Sequence, residues 1–207
     1  LHALRVDGFA VTIVAARPFA MGGSELSFAS HLRNLFQIDS IEASTERLKT
    51  LVDKADTDHL VFFAHNGPTG LGASRRAPFG RDFHPEAGDW GDRDLAEAVA
   101  YAMRRGHAVS CVLAGHMHWS LRGGGGRSWH VEKDGVLYVN AARVPRHAVP
   151  RHAVPNDAVP NDAVPNDAVP RHAVPNDAAH GQGIRRHHLA LTLTPERATV
   201  EEVWVFL

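Results

Sequence analysis

The chain has 207 residues, 44% of them hydrophobic, so it can bury a core of ordinary size and is not expected to be disordered throughout. Its formal net charge of −1 gives no electrostatic basis for binding nucleic acid or an anionic membrane surface. No apolar run approaches the roughly 18 residues that a membrane-spanning helix needs. The single cysteine, Cys111, excludes a disulfide framework and a multi-cysteine zinc site, and it indicates a reducing compartment such as the cytoplasm.

The first third of the chain predicts a strand followed by two helices. Residues 10–16 are rich in β-branched side chains, which is typical of a buried strand. Ser24 can cap a first helix. A second helix is expected over residues 41–55, because Asp39 and Glu42 have the spacing of a capping box in front of an apolar stripe.

The remainder predicts strands that alternate with one helix and then follow one another directly. A long loop over residues 66–92 separates the first of these strands from a helix that begins after Asp92 and ends at Gly106. Strands are expected over residues 59–64, 108–114 and 135–142, with two more at the C-terminal end around a turn at 195–198. This order predicts an α/β fold, a layered sandwich of mixed β-sheets flanked by helices.

Seven pentads of the form VPRHA or VPNDA occupy residues 144–178. A β-helix built on a five-residue period is disfavoured, because proline removes one backbone donor from every unit. A tract that binds a metal or a partner through His147, His152 and His172 is an alternative. The favoured interpretation is a low-complexity insertion in a surface loop, since long insertions add little loop-closure entropy.

Three histidines follow predicted buried strands directly: His65, and the pair His116 and His118 in the segment "CVLAGHMHW". Ligands of open α/β sheets gather at the carboxyl ends of the strands, and imidazole suits zinc, iron and manganese. The pattern therefore favours a metal site over three isolated structural histidines, but it does not say what the metal does.

Three segments in this order resemble the calcineurin-like metallophosphoesterases, in particular a subgroup of cyanobacteria and chloroplasts. They are "VFFAHNGPTGLG" from residue 61, "CVLAGHMHWSLR" from residue 111 and "YVNAARVPR" from residue 138. "ARPFAMGGS" from residue 16 and "GDWGDRDL" from residue 88 are also similar to that subgroup, so the likeness covers most of the chain outside the pentads. A chloroplast location is the alternative to the cytoplasm if the source is a plant or an alga.

The resemblance implies a metal-dependent phosphoesterase with two divalent ions, of manganese, iron or zinc. It implies that His65 and His116 bind one ion and that His118 binds the other. Such a pair holds the phosphate and activates a water molecule for attack on phosphorus. It further implies a metallophosphoesterase-like fold in which residues 1–207 are the C-terminal portion of a single domain, with a phosphoester as substrate.

The first three metal-binding motifs of that family, Asp-x-His, Gly-Asp-x-x-Asp and Gly-Asn-His, do not precede His65. Strings matching the first two occur after it, at residues 82–84 and 88–92, but in the wrong order and within one loop. We expect Asp89 and Asp92 to cap a helix, the loop to border a substrate pocket, and Asn140 to make hydrogen bonds at a strand end. Arg75, Arg76 and Arg81 are expected to form a solvated loop surface rather than a phosphate site.

The missing carboxylates are expected upstream of Leu1, so the chain alone should bind metal weakly and hydrolyse phosphoesters poorly. The alternative is a non-catalytic fragment or decayed homologue that keeps the fold and acts through interactions. Amidohydrolase and metallo-β-lactamase sites fit less well: in the first the histidine pair comes early, and in the second an aspartate stands where this chain has Ser120. Nothing in the sequence predicts an oligomeric state.

Overall fold

The computed structural model describes residues 1–144, 146–148 and 184–206. The helices in these ranges are α1 (Ala29–Phe36), α2 (Ile41–Asp53) and α3 (Arg93–Arg104). The strands are β1 (His2–Val6), β2 (Phe9–Ala15), β3 (His59–Phe63), β4 (Ala108–Ala114), β5 (His130–Lys133), β6 (Val136–Asn140), β7 (His147–Ala148), β8 (Arg185–Leu193) and β9 (Ala198–Phe206). None of the helices in these ranges is long and apolar enough to cross a membrane.

A six-stranded mixed sheet with the order β1-β2-β3-β4-β6-β5 forms the centre of the fold. Strands β2, β3, β4 and β6 run parallel, and the edge strands β1 and β5 pair antiparallel with their neighbours. Ala15 pairs with Phe63, Phe63 with Leu113, and Ala114 with Asn140, so the parallel strands end at one common edge. The predicted α/β class is therefore confirmed.

One face of this sheet is covered by helices. Leu60 and Phe62 of β3 are fully buried in a cluster that includes Leu48 of α2 and Leu95 of α3. Burying a side chain of this size stabilises the fold by about 1.5–3 kcal/mol. The apolar stripes of α2 and α3 thus fix the helical layer behind the strands that carry the histidines.

The opposite face packs on a second, three-stranded sheet with the order β7-β8-β9. Val61 and Cys111 point to this side, because successive strand residues face opposite layers. Leu191 of β8 and Val200 of β9 cover them. The described residues therefore form a helix, sheet and sheet layering, which agrees with the predicted layered sandwich; the metallophosphoesterase likeness of the fold stays a prediction.

The start of the first helix was predicted wrongly. Helix α1 begins at Ala29 rather than after Ser24, and its N-cap, Phe28, has φ 58° and makes no capping hydrogen bond with its side chain. The segment before it packs Gly22 and Gly23 against Trp90, at distances that leave no room for a Cβ at Gly22. Because Phe28 is in the left-handed region, the right-handed helix does not extend back through it towards Ser24.

The second helix begins as predicted, but its cap differs. The Oγ of Ser40 accepts the backbone N–H of Ala43 at 3.0 Å, so Ser40 rather than Asp39 is the N-cap. Strands β1 and β5 were not predicted. Residues 2–6 of β1 are all exposed, so they carry no burial pattern, and they are ordered by pairing with β2.

Residues 149–178 of the pentad tract lie outside the described residues, and with them the predictions about His152 and His172. His147 belongs to β7, but its side chain is also outside what is described. The strands on either side of the residues that are not described pair with each other: β7 runs antiparallel to the start of β8.

Candidate functional site

His65 and His116 meet at the carboxyl edge of the central sheet. His65 lies just beyond β3 and His116 just beyond β4, and these strands are parallel neighbours. The backbone N–H of Gly115 donates to the carbonyl of His65 at 3.0 Å, which continues the pairing past the strands. The two imidazole centroids are consequently 5.0 Å apart, with 49° between the ring planes.

His116 has an unusual backbone and a shifted pKa. Its φ is 66°, in the left-handed region that few non-glycine residues adopt. Burial lowers its pKa first, the neighbouring His65 and His118 lower it further, and a backbone hydrogen bond with Met21 opposes them. The ring is therefore neutral near pH 7, which is the form of histidine that binds metals.

The donors present fit only part of a metal centre. Among the described residues, no group of three or more His, Cys, Asp or Glu side chains could hold a metal ion. The structure brings His65 and His116 together, and His118 lies close enough for its charge to depress the pKa of His116. A complete centre on these three histidines would need further ligands, so the predicted metal site stays a prediction.

Asp92 and Asp94, two buried carboxylates after the long loop, are held by Arg17, which follows β2. Arg17 Nε lies 3.0 Å from Asp94 Oδ2, and Arg17 Nη2 lies 3.3 Å from Asp92 Oδ1. The Oγ of Ser44 donates to the same oxygen of Asp94 at 2.5 Å. All three charged side chains are at most 4% exposed. These contacts form a buried ion cluster that joins the segment after β2 to helices α2 and α3.

Burial raises the pKa of Asp92 to about 7, the charge of Asp94 adds to this, and Arg17 opposes it. Although Asp92 occupies the N-cap position of α3, its side chain makes no capping hydrogen bond. The expected N-cap position of Asp92 is therefore confirmed, but its side chain does not cap the helix, because the carboxylate is hydrogen-bonded to the guanidinium of Arg17 instead.

The expected capping role of Asp89, in contrast, is wrong. Its carboxylate accepts the backbone N–H groups of Gly70 at 2.6 Å and Gly91 at 2.9 Å, and so it closes the long loop on itself. His84, in the string at residues 82–84 that matches the Asp-x-His motif, is exposed and accepts the N–H of Glu86 at 3.3 Å.

A cleft of about 510 Å³ opens beside the histidines. Its walls include Met21, Phe83, Trp90, His116, His118 and Arg122. The long loop therefore borders the cleft, as the sequence predicts. Met21, Phe83 and Trp90 were not singled out from the sequence. The glycine pair at residues 22–23 allows the close approach to Trp90, but it does not identify Trp90 as the partner.

Buried Arg127 fixes the loop next to His118. Its Nη1 donates to three loop carbonyls, the shortest to Gly80 at 2.6 Å, and its Nε donates to the carbonyl of His118 at 2.6 Å. Its Nη2 lies 3.1 Å from Asp82 Oδ1, so Asp82, the first residue of the string at 82–84, is engaged in an ion pair. Arg127 thereby holds the loop that forms the cleft wall and the backbone of His118 in fixed positions relative to each other.

The loop arginines are largely engaged by the loop itself. Arg75 donates to the carbonyls of His84 and Pro85, and Arg81 Nε donates to the carbonyl of Glu86 at 3.2 Å. Both side chains bind backbone of the same loop, which agrees with the expected loop-surface role.

Asn140, at the end of β6, makes the hydrogen bonds predicted for it. Its fully buried Nδ2 donates to the carbonyls of Pro78 at 2.9 Å and Met117 at 2.6 Å, and its Oδ1 accepts the N–H of Ala142 at 3.0 Å. It therefore joins the long loop, the turn between the two histidines and its own strand.

Comparison of the chain with protein-family models, with curated proteins and with solved structures finds no match. The likeness to calcineurin-like metallophosphoesterases therefore rests on the motifs quoted above and on no relative.

Proposed function

We propose that the chain contributes imidazole ligands to the centre of a metal-dependent phosphoesterase. The observation that carries the proposal is the meeting of His65 and His116, 5.0 Å apart between ring centroids, beside an open cleft. A position outside the carboxyl ends of parallel strands is where α/β folds place their ligands. The ordered motifs around these histidines supply the reaction class by resemblance.

In this proposal His65, His116 and His118 hold one or two divalent ions, of manganese, iron or zinc. Such ions would neutralise phosphate charge and lower the pKa of bound water. The protein's part is positioning: Arg127 donates to the carbonyl of His118 and Asn140 donates to that of Met117, so the peptides on both sides of His118 are fixed. The neutral state of His116 leaves its ring able to bind a cation without first losing a proton.

Carboxylate ligands would come from outside the described residues, since those residues contain no complete group of donors. Asp92 and Asp94 are poor candidates, because Arg17 already neutralises them in a buried cluster. We therefore expect the 207-residue chain by itself to bind metal weakly and to turn over phosphoesters slowly.

Titration calorimetry with zinc and with manganese, on the full chain at pH 7.5, tests the proposal. His116→Ala should weaken binding by at least about tenfold, because metal affinity falls sharply when an imidazole donor is removed. His84→Ala is the matched control: His84 is exposed on the loop that borders the cleft, and its loss should change affinity by less than about twofold. Equal affinities for wild type, His65→Ala and His116→Ala would refute the proposed ligands.

A second candidate is a non-catalytic protein that keeps the fold. The buried Arg17 cluster favours it, since the nearby buried acids stabilise the structure rather than a cation. The same titration separates the candidates: metal binding that depends on His116 supports the phosphoesterase, whereas no metal binding by the folded chain supports the non-catalytic protein.

A further inference from the structure

Phe83 and Trp90 form an aromatic corner in the wall of the cleft beside His116 and His118. Their ring centroids are 5.3 Å apart and the ring planes meet at 84°. Phe83 is 40% exposed, so part of its surface remains accessible. A flat ring that entered the cleft could lie against Phe83 while Trp90 supports it from the side, an arrangement that aromatic groups favour.

This corner is held in place before any ligand binds. The indole N–H of Trp90 donates to the carbonyl of Met21 at 2.7 Å, and its backbone N–H donates to the carbonyl of Phe79 at 2.9 Å. The side chain of Asn66, the residue after His65, donates to the carbonyl of Trp90 at 2.8 Å. Three hydrogen bonds therefore hold Trp90 in place next to the histidines. Because its side chain is already ordered, less conformational entropy is lost when a ligand binds.

The charges around the corner suit an anion. The guanidinium of Arg122 lies 5.8 Å from the Phe83 ring and is exposed at the cleft. The one carboxylate among the residues that line this cleft, Asp82, is paired with buried Arg127 and accepts the N–H of Arg122 at 2.9 Å. Its negative charge is thus compensated, and the cleft presents an available cation next to an apolar, flat surface.

We infer that this cleft selects phosphoesters that carry a flat aromatic ring, with the ring against Phe83 and the phosphate between Arg122 and the histidines. This inference rests on the proposed function for its phosphate, while the ring preference rests on the aromatic corner. The same chemistry is offered by aryl phosphates and by nucleotides, in which a base stacks on an aromatic side chain.

The test measures affinity without metal, by ligand-observed NMR titration of the full chain. Phenyl phosphate and adenosine monophosphate are the two ring-bearing probes, and glycerol phosphate is the probe without a ring. At least one ring-bearing probe should bind about tenfold more tightly than glycerol phosphate, and which of them does so separates an aryl group from a nucleobase. Equal affinities for all three would overturn the inference.

Variants locate the preference. Phe83→Ala should abolish the tenfold difference, and Phe83→Tyr should keep it. Phe28→Ala removes a phenyl ring that is 56% exposed and does not line the cleft, so it should leave the difference intact. Arg122→Gln should weaken all three probes by a similar factor, because it removes charge from the phosphate end. A preference that survives Phe83→Ala would overturn the assignment.

The ring preference is measured without metal, whereas the proposed function is tested by metal binding through His116. A lost ring preference with intact metal binding refutes only the substrate class. An intact ring preference without metal binding refutes the phosphoesterase and leaves an aromatic phosphate-binding cleft.

Discussion

Arg17 and Asp94 join the end of β2 to the first turn of α3 through a buried ion pair, with 3.0 Å between Nε and Oδ2. Asp92 Oδ1 lies 3.3 Å from Nη2 of the same guanidinium, and Ser44 of α2 completes the cluster. Three segments distant in sequence are therefore tied together by this buried cluster. Taking one partner out of such a cluster leaves a buried charge without compensation.

Arg17→Ala should lower the free energy of unfolding by about 3–5 kcal/mol, the cost of leaving a buried charge unpaired. Urea denaturation followed by circular dichroism measures the change. The matched control is Arg5→Ala, which breaks the pair of Arg5 with Asp56 on the surface and should cost less than about 1 kcal/mol. A loss for Arg17→Ala no larger than that for Arg5→Ala would show that the cluster does not stabilise the fold.

The stability of the chain should fall as pH rises from about 4 to about 7. The ordinary pKa of an aspartate is 3.8, and burial first, then the charge of Asp94, raise that of Asp92 to about 7. Between these values the unfolded chain has released its proton while the folded chain retains it, so each rise in pH favours unfolding. Above pH 7 this group adds no further slope.

Asp92→Asn should remove that pH dependence, since the amide resembles the protonated acid and does not titrate. Denaturation midpoints at pH 4, 5, 6 and 7 measure the slope for wild type and variant. Asp56→Asn, at an exposed ion pair, serves as the control and should retain the slope of the wild type. An Asp92→Asn slope equal to that of wild type would assign the effect to another group.

The placement of the histidines could be predicted because it follows from local patterns. The apolar runs before His65 and His116 identify two buried strands, and parallel strands end at one edge, so these side chains were expected to be neighbours. Their separation of 5.0 Å between ring centroids agrees. The sequence could not supply the rest of the site, because its pattern says nothing about which distant side chains complete it.

The role of Asp92 shows where local reasoning fails. Its position before an apolar helix predicts a cap, but its actual partner, Arg17, is 75 residues away. The aromatic corner has the same origin: Trp90 meets Met21 across 69 residues, through a glycine pair that allows close approach. Strand β1 was missed for a simpler reason, since its residues are exposed and their order depends on pairing with β2.

His116→Gly should increase folding stability while it removes a proposed ligand. With φ at 66°, His116 occupies a conformation that costs a non-glycine residue about 1–3 kcal/mol. Glycine adopts it without strain but loses more entropy on folding, so we expect a net gain of about 1 kcal/mol. Thermal and urea denaturation measure the gain.

His118→Gly is the matched control, because the backbone of His118 is not in the left-handed region. It should leave stability unchanged or lower it by up to about 1 kcal/mol. Together the variants separate strain at one histidine from the mere loss of an imidazole. A loss of stability in His116→Gly equal to that in His118→Gly would mean that the conformation of His116 stores no strain.

Removing residues 149–178 should leave the fold intact and raise the free energy of unfolding by about 1–2 kcal/mol, because each halving of a loop lowers its closure cost by about 0.6 kcal/mol and the deletion shortens the segment between β7 and β8 about sixfold. The deletion keeps the described contacts between the segment before it, at residues 143–148, and strands β8 and β9 after it. The N–H of His187 donates to the carbonyl of Arg146 at 2.7 Å, and one oxygen of Glu202 lies 2.9 Å from Arg143 and 3.1 Å from His187.

Glu202→Ala in the chain of full length is the comparison, because it removes the contacts of Glu202 with Arg143 and His187 and leaves the tract intact. It strands buried His187 beside the positive charge of Arg143, and losing a charged hydrogen-bond partner costs about 1.5–3 kcal/mol. Chemical denaturation of both variants should therefore rank the deletion as the milder change. If the deletion is instead the more damaging one, the pentads contribute to the folded core and are not a passive insertion.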